Sequence, residues 1–186
     1  RGPRSDEERN GHGYGARASR SHSKRMIGKI IPRSEAAALG QRLRSEGRVI
    51  VFANGCFDLL HVGHIRFLRE AKEQGDTLVV GVNSDRAVAA LKGPGRPLMP
   101  ELGRAELVAA LECVDYVIVF DDVTAESLLT DLRPHVQCKG ADYTEDSVPE
   151  RRIMEKLGGK VRITGDAKEH STREILADIR RRFAKH

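Results

Sequence analysis

Ala53-Asn54-Gly55-Cys56-Phe57-Asp58-Leu59-Leu60-His61-Val62-Gly63-His64 leaves an apolar run, Val49 to Ala53, and enters an amphipathic stretch from about Gly63 to Gln74 that Gly75 stops. A run continuous in Val, Ile and Phe suits a strand buried on both faces, and the period that follows suits a helix packed on one. The segment is therefore the turn of a β-α unit. A helix start presents free backbone N–H groups and partial positive charge, which favour phosphate. Gly55 and Gly63 would let a polyphosphate approach the main chain. His61 and His64 stand at that entry, each able to donate an imidazole N–H to a phosphate oxygen, with added charge if protonated beside a polyanion. Such a site holds and polarises phosphates rather than attacking them.

Two histidines three apart are also a common accident, and they could be zinc ligands or hydrogen-bonded core residues. Zinc lacks a third ligand at short spacing, since Cys56 belongs to the strand-end turn and no carboxylate pair follows. The junction from strand to helix, read independently from the apolar pattern, is the context that gives the pair weight.

Outward from this segment, short apolar runs alternate with amphipathic stretches from Met26 onward, the pattern of parallel β-α units. Strands are expected at Val49 to Ala53, Thr77 to Val82, Tyr116 to Phe120, Val136 to Lys139 and Lys160 to Ile163. Helices are expected at Ser34 to Glu46 with Ser34 as cap, Gly63 to Gln74, Asp85 to Leu91, Leu102 to Glu112, Ala125 to Leu132, Val148 to Leu157 and Thr172 to Phe183. Right-handed crossovers assemble these into one doubly wound parallel α/β sheet, whose ligands bind beyond the carboxyl ends of the strands.

The 186 residues argue for one domain, placed at 26–186, behind a basic tail or linker at 1–25. That tail is rich in Gly, Ser and Arg and holds seven Arg/Lys against three acids, a net +4 of the chain's +5, so the basic character belongs mainly to it. It reads as disordered: a solvated leader, or else an arm for nucleic acid or a membrane surface. Aromatics are only 4% and Trp is absent, which argues against a stacking platform for nucleic acid. No apolar run is long enough to cross a bilayer. Cys56, Cys113 and Cys138 are odd in number and widely spaced, so a reducing, cytoplasmic setting is expected. The chain begins with Arg, no stretch near that end has the apolar core expected of a secretory signal, and it reads as a piece or processed form of a longer one.

Four other segments could carry chemistry. Asn83-Ser84-Asp85 is a helix cap, with Asp85 also able to orient sugar hydroxyls or a neighbouring base. Lys92-Gly93-Pro94-Gly95-Arg96-Pro97 is a turn bearing two cations, the direct means of bringing two phosphorylated substrates together. Lys139-Gly140-Ala141-Asp142-Tyr143 is a strand-end turn whose main chain can read a base edge. His170-Ser171-Thr172-Arg173-Glu174 opens the last helix with Ser171 and Glu174 at capping-box spacing.

Together these segments, with Glu112-Cys113-Val114-Asp115, resemble the cytidylyltransferase-like, His-x-Gly-His nucleotidylyltransferases, and within them the D-glycero-β-D-manno-heptose 1-phosphate adenylyltransferase branch. The resemblance covers about Ser34 to Phe183. It implies a Rossmann-like fold, ATP and a sugar 1-phosphate as substrates, Mg2+ accompanying the ATP, ADP-heptose and pyrophosphate as products, and association as a homo-oligomer. It puts His61, His64 and Lys92 at the reacting centre. Gly55, Cys56, Phe57, Gly63, Lys139, Gly140, Asp142, Ser171 and Thr172 fall on the nucleotide, and Asn54, Asp58, Asp85 and Arg96 on the sugar-phosphate side. This chain reads Ser-Thr-Arg at 171–173 where heptose enzymes often show Ser-Thr-Thr, which leaves Arg173 without an assigned role. A sister activity, CTP with glycerol 3-phosphate or ethanolamine phosphate, is the nearest enzymatic rival. A nucleotide sensor or nucleic-acid binder using the tail is the non-enzymatic one.

Overall fold

Strand β1 (Ile50–Gly55) is the middle of the sheet because its residues can be buried on both sides: Ile50 and Phe52 enter one core, Val51 and Ala53 the other. In this computed structural model, which describes residues 28–166 and 172–183, the same alternation runs through β2 (Thr77–Asn83), with Val79 on the first side and Leu78, Val80 and Val82 on the second. Gly81 in β2 lies between the rings of Phe52 and Phe120, where a Cβ would meet them at 2.8 and 3.0 Å. The two aromatics therefore fill a sheet face that a larger residue would split.

The remaining strands are β3 (Tyr116–Phe120), β4 (Val136–Gly140) and β5 (Lys160–Thr164). All pairings are parallel and the order is β3-β2-β1-β4-β5. Numbering runs outward both ways from β1, so the connections reverse between β1 and β4. That reversal opens a crevice beyond their carboxyl ends.

Helices cover both faces. On one side lies α1 (Ala36–Ser45); on the other lie α2 (Val62–Lys72) and α4 (Glu101–Ala109). Between β2 and α4, α3 (Asp85–Lys92) starts under Ser84, whose hydroxyl accepts the Ala87 N–H at 3.1 Å. The first-side cover is completed by α5 (Glu126–Leu132) and α6 (Arg151–Lys156), and α7 (Thr172–Phe183) ends the described chain. None of the described helices is long and apolar enough to cross a membrane.

Two expectations about helix starts are corrected. Ser34 does not cap α1: it sits inside a 3-10 turn at Arg33–Glu35, which leads into the helix without a side-chain cap. The helix expected from Val148 begins at Arg151 instead, because Val148 is extended (φ −68°, ψ 120°) and precedes Pro149, which disfavours helical geometry in the residue before it. Residues 1–25, read as a disordered tail, lie outside the described residues.

Candidate functional site

The start of α2 is closed by the histidines themselves. His61 is the extended N-cap residue (φ −140°), and its backbone N–H donates to Nδ1 of His64 at 3.3 Å. With Nδ1 accepting, the neutral His64 ring carries its proton on Nε2 and presents that N–H as a donor. Burial, reinforced by the nearby His61, lowers the His64 pKa to about 4, so the ring is neutral near pH 7. The extra charge expected from protonation is therefore absent from His64 in the free protein. The two ring centroids lie 3.9 Å apart with the planes tilted by 32°, and Phe57 stands tilted against His64 at 5.2 Å.

Phe57 itself adopts a left-handed backbone (φ 47°), a conformation that costs a bulky residue about 1–2 kcal/mol. Its ring is buried beneath the loop, and a Cβ on Gly55 would lie 3.2 Å from it. Gly55 thus makes room for the Phe57 ring, and that ring sets the flank of His64. The resemblance puts both on the nucleotide; the loop itself is built on the side chain of one and the bareness of the other. Gly63 lies half-buried in the first turn of α2.

Asp58 departs further from expectation. Its carboxylate is 2% exposed; Oδ1 accepts the N–H groups of Leu98 and Met99 at 2.6 and 3.2 Å, and Oδ2 pairs with Nε of Arg96 at 2.7 Å. It fastens the 96–99 segment over the β1 loop, and no part of it is presented to a substrate. Arg96 is correspondingly held, while Lys92, the last residue of α3, is exposed and close enough to Cys56 to oppose the rise that burial causes in that thiol's pKa. The Cys56 Sγ lies 3.9 Å from Oδ1 of Asn83. Asn54, near the end of β1, keeps a buried side-chain oxygen with no hydrogen-bond partner. A buried acceptor left unused costs about 1–3 kcal/mol and marks where a donor fits.

One residue at the heart of this arrangement escaped the sequence reading. Arg104 in α4 is fully buried; its Nε donates to Met99 O at 2.9 Å, NH1 to Cys56 O at 2.5 Å and NH2 to Asp85 Oδ1 at 2.8 Å. The signal available was its spacing: Arg104 lies four residues before Val108 and next to Ala105, on the buried stripe of α4 where a cation needs a reason. Asp85, with 44% of its side chain exposed, also has its N–H bonded to Glu101 Oε2 at 2.8 Å.

Across the switch point the other half of the crevice is looser. Lys139 does not extend into it: its ammonium is buried against Glu150, with Oε2 at 3.1 Å, and Glu150 also accepts from the Ala125 N–H at 3.3 Å. Gly140 faces open space where a Cβ would stand, and Asp142 and Tyr143 are exposed. Tyr143 lies with its ring 5.5 Å from the Lys139 ammonium; burial and the nearby Glu150, Asp142 and Cys56 raise its pKa. Thr172, at the start of α7, donates its hydroxyl to Leu59 O at 3.4 Å, two residues before His61. Ser171 lies outside the described residues, as does the Arg173 side chain.

Among the described residues no cluster of three or more His, Cys, Asp or Glu could hold a metal. His61 and His64 lie ring to ring with Phe57 against His64, while Lys92, Arg96 and Arg104 act electrostatically on Cys56, one residue before Phe57, and Asp85 is tied to that loop through Arg104.

Comparison with known proteins agrees with this geometry. The profile of the family described as Cytidylyltransferase-like matches residues 52–179. The chain is 43% identical over 156 residues to the Bifunctional protein HldE of Pelobacter propionicus, covering 84% of this chain and 32% of that protein. The protein of the same name from Methylobacillus flagellatus is 49% identical over 151 residues, covering 81% and 31%. The chain therefore spans about a third of the length of these curated relatives. A crystal structure of a lipopolysaccharide core biosynthesis protein from Thermoplasma volcanium superposes with a TM-score of 0.55 at 32% identity, covering 67% of this chain and all of that one. A pantoate-beta-alanine ligase from Francisella tularensis, at 14% identity and TM-score 0.57 over 79% of this chain and 72% of its own, shares the fold alone.

Proposed function

The chain belongs to the cytidylyltransferase-like family, and from that premise we propose that it transfers AMP from ATP to D-glycero-β-D-manno-heptose 1-phosphate, giving ADP-heptose and pyrophosphate. The observation that carries the reading is the close ring pair His61 and His64 at the start of α2, with a neutral His64 offering Nε2–H at the first turn of the helix. Likeness to the HldE proteins and to the lipopolysaccharide core biosynthesis protein supports the choice of sugar.

In the proposed reaction a phosphate oxygen of the sugar phosphate forms a bond to the α-phosphorus of ATP while the bridging bond to the β-phosphate breaks. A phosphate monoester with a second pKa near 6 is already a competent nucleophile, so no general base is required. The protein supplies alignment and charge compensation. His61 and His64 donate to the α- and β-phosphates, and Lys92 draws the two anions together. Asn54 offers its spare oxygen to a sugar hydroxyl, and Arg96 closes that side without leaving Asp58. The main chain at Lys139 and Gly140, with Asp142 and Tyr143, borders the base and ribose, and Thr172 the phosphate tail. Mg2+ enters with ATP, since a hard ion that keeps its waters is held by substrate phosphates rather than by a protein cage. The reading also carries a cytoplasmic setting and a homo-oligomer, the latter measurable by light scattering.

Incubation with ATP, Mg2+ and a panel of sugar 1-phosphates, with the nucleotide product identified by mass, tests the reaction. ADP-heptose is the expected product. Turnover with CTP and glycerol 3-phosphate or ethanolamine phosphate instead would move the chain to the sister activity. Salt-sensitive oligonucleotide binding with no turnover of any sugar phosphate would favour the non-enzymatic reading.

A further inference from the structure

Arg104 has three hydrogen bonds that reach three separate pieces of the crevice: the carbonyl of Cys56 in the β1 loop, the carboxylate of Asp85 at the start of α3, and the carbonyl of Met99 at the end of the cation-bearing turn. Asp58 reaches back the other way, from the β1 loop to the N–H groups of Leu98 and Met99 and to Arg96. Met99 is thus held at its carbonyl by one buried charge and at its amide by another. The two charges interlock around the 96–99 segment, and neither can be moved without releasing a loop that borders the crevice.

A guanidinium with no exposed surface is an expensive structural element, because removing a cation from water costs several kcal/mol that partners must offset. Its one carboxylate partner, Asp85, is itself partly in solvent. A plain tether between α3 and α4 could be made by a neutral side chain. A planar fork of five donors is what can address three acceptors in fixed directions at once.

We propose that Arg104 is a positioning residue for the transfer, setting the distance between the β1 loop that carries the histidines and the 92–97 turn that carries Lys92 and Arg96. Through it the nucleotide-holding loop and the turn that draws in the second substrate move as one body. This rests on the transfer reaction proposed above. It adds that alignment of the two substrates depends on a side chain that touches neither.

The test is Arg104→Lys, which keeps the charge and loses the fork. Thermal melting and circular dichroism establish that it folds. Binding of a non-hydrolysable ATP analogue, followed by calorimetry, is expected to change less than about threefold, while kcat falls 10- to 100-fold and the KM for the sugar phosphate rises. Hydrogen exchange is expected to quicken at residues 54–58 and 96–99 together. That readout, with the analogue's affinity, does not need turnover, so it judges the clamp even if no sugar phosphate is accepted and the proposed reaction fails. Unchanged exchange and kcat in a folded Arg104→Lys protein would overturn the assignment. So would a parallel loss of melting temperature, analogue affinity and kcat, since that marks a scaffold role only. Arg104→Met is the second variant. If the role is geometric, it resembles Arg104→Lys in the kcat-against-affinity split; if only charge matters, Arg104→Lys is normal and Arg104→Met alone is impaired, which also overturns the proposal.

Discussion

The two halves of the carboxyl edge are built on opposite plans. Beyond β1 and β2, Asp58, Arg96, Arg104 and Asp85 are paired with one another or with backbone, and the His61–His64 pair is fixed by the helix start. Beyond β4, the charged residue near the start of the turn, Lys139, is drawn to buried Glu150, and the turn that follows Gly140 exposes Asp142 and Tyr143. Phosphate chemistry needs donors aimed in advance, because reorganising dipoles during the reaction is what a preorganised site avoids. Contact with a base or ribose needs shape and main-chain edges, which an open turn supplies. Under the proposed transfer, the rigid half aligns and the open half admits.

The sharpest way to break this contrast is at His64. Replacing it with Ala removes an aimed donor, and the expected loss is about 100- to 1000-fold in turnover with the sugar phosphate, at a melting temperature within a few degrees of the parent. Near-normal rates in a folded His64→Ala protein would mean that the rigid half is rigid for some other purpose.

Next in size is the ion pair of the open half. Lys139→Met leaves Glu150 buried with its charge unmatched, and breaking such a pair costs about 3–5 kcal/mol, read from urea unfolding. The double variant Lys139→Met/Glu150→Leu is expected to recover most of that stability. If Lys139 instead grips the nucleotide directly, ATP affinity in the double variant stays low while stability returns, and the two halves would be less different than drawn.

A third measurement uses pH. The folded His64 pKa of about 4 lies below the unfolded value near 6.5, so between these pH values the unfolded chain binds a proton that the folded one does not. Stability from this group is therefore complete above about pH 6.5 and is lost as pH falls toward 4, by at most about 3 kcal/mol. The difference in unfolding free energy between the parent and His64→Asn, followed from pH 7 to 4, isolates it. A flat difference would place His64 in water and undo the claim that its ring is held neutral.

How much of this was readable beforehand follows the same division. All five strands and the place of the His pair were legible, since continuous apolar runs and a strand-to-helix junction are local signals. The roles within the loop were not. Gly55, Phe57 and Asp58 sit in the motif that announces the site, but their service to the loop and its neighbours was not visible there, because the ring of Phe57 and the amides of Leu98 and Met99 reach them only once the chain is folded. The resemblance puts Lys139 on the nucleotide; in the fold its ammonium goes to Glu150, eleven residues on. Arg104 carried a visible sign, a charge on an apolar stripe, but its partners at 56, 85 and 99 are scattered along the chain.

The smallest expected effect tests the open half alone. At Gly140 an added Cβ would meet no atom within 4 Å, and the residue is not among the glycines with positive φ, so Gly140→Ala has neither a clash nor backbone strain to oppose it. Stability within about 0.5 kcal/mol of the parent is expected, the ordinary range for substitutions away from such features. If the main chain after β4 borders the base, the new methyl stands in the space the nucleotide uses, and the KM for ATP rises a few-fold with kcat nearly unchanged. That split belongs to a group acting on binding and not on the transfer step. A drop in kcat at constant KM would mean that the turn after β4 takes part in alignment, and the line between the aiming half and the admitting half would have to be redrawn beyond β4.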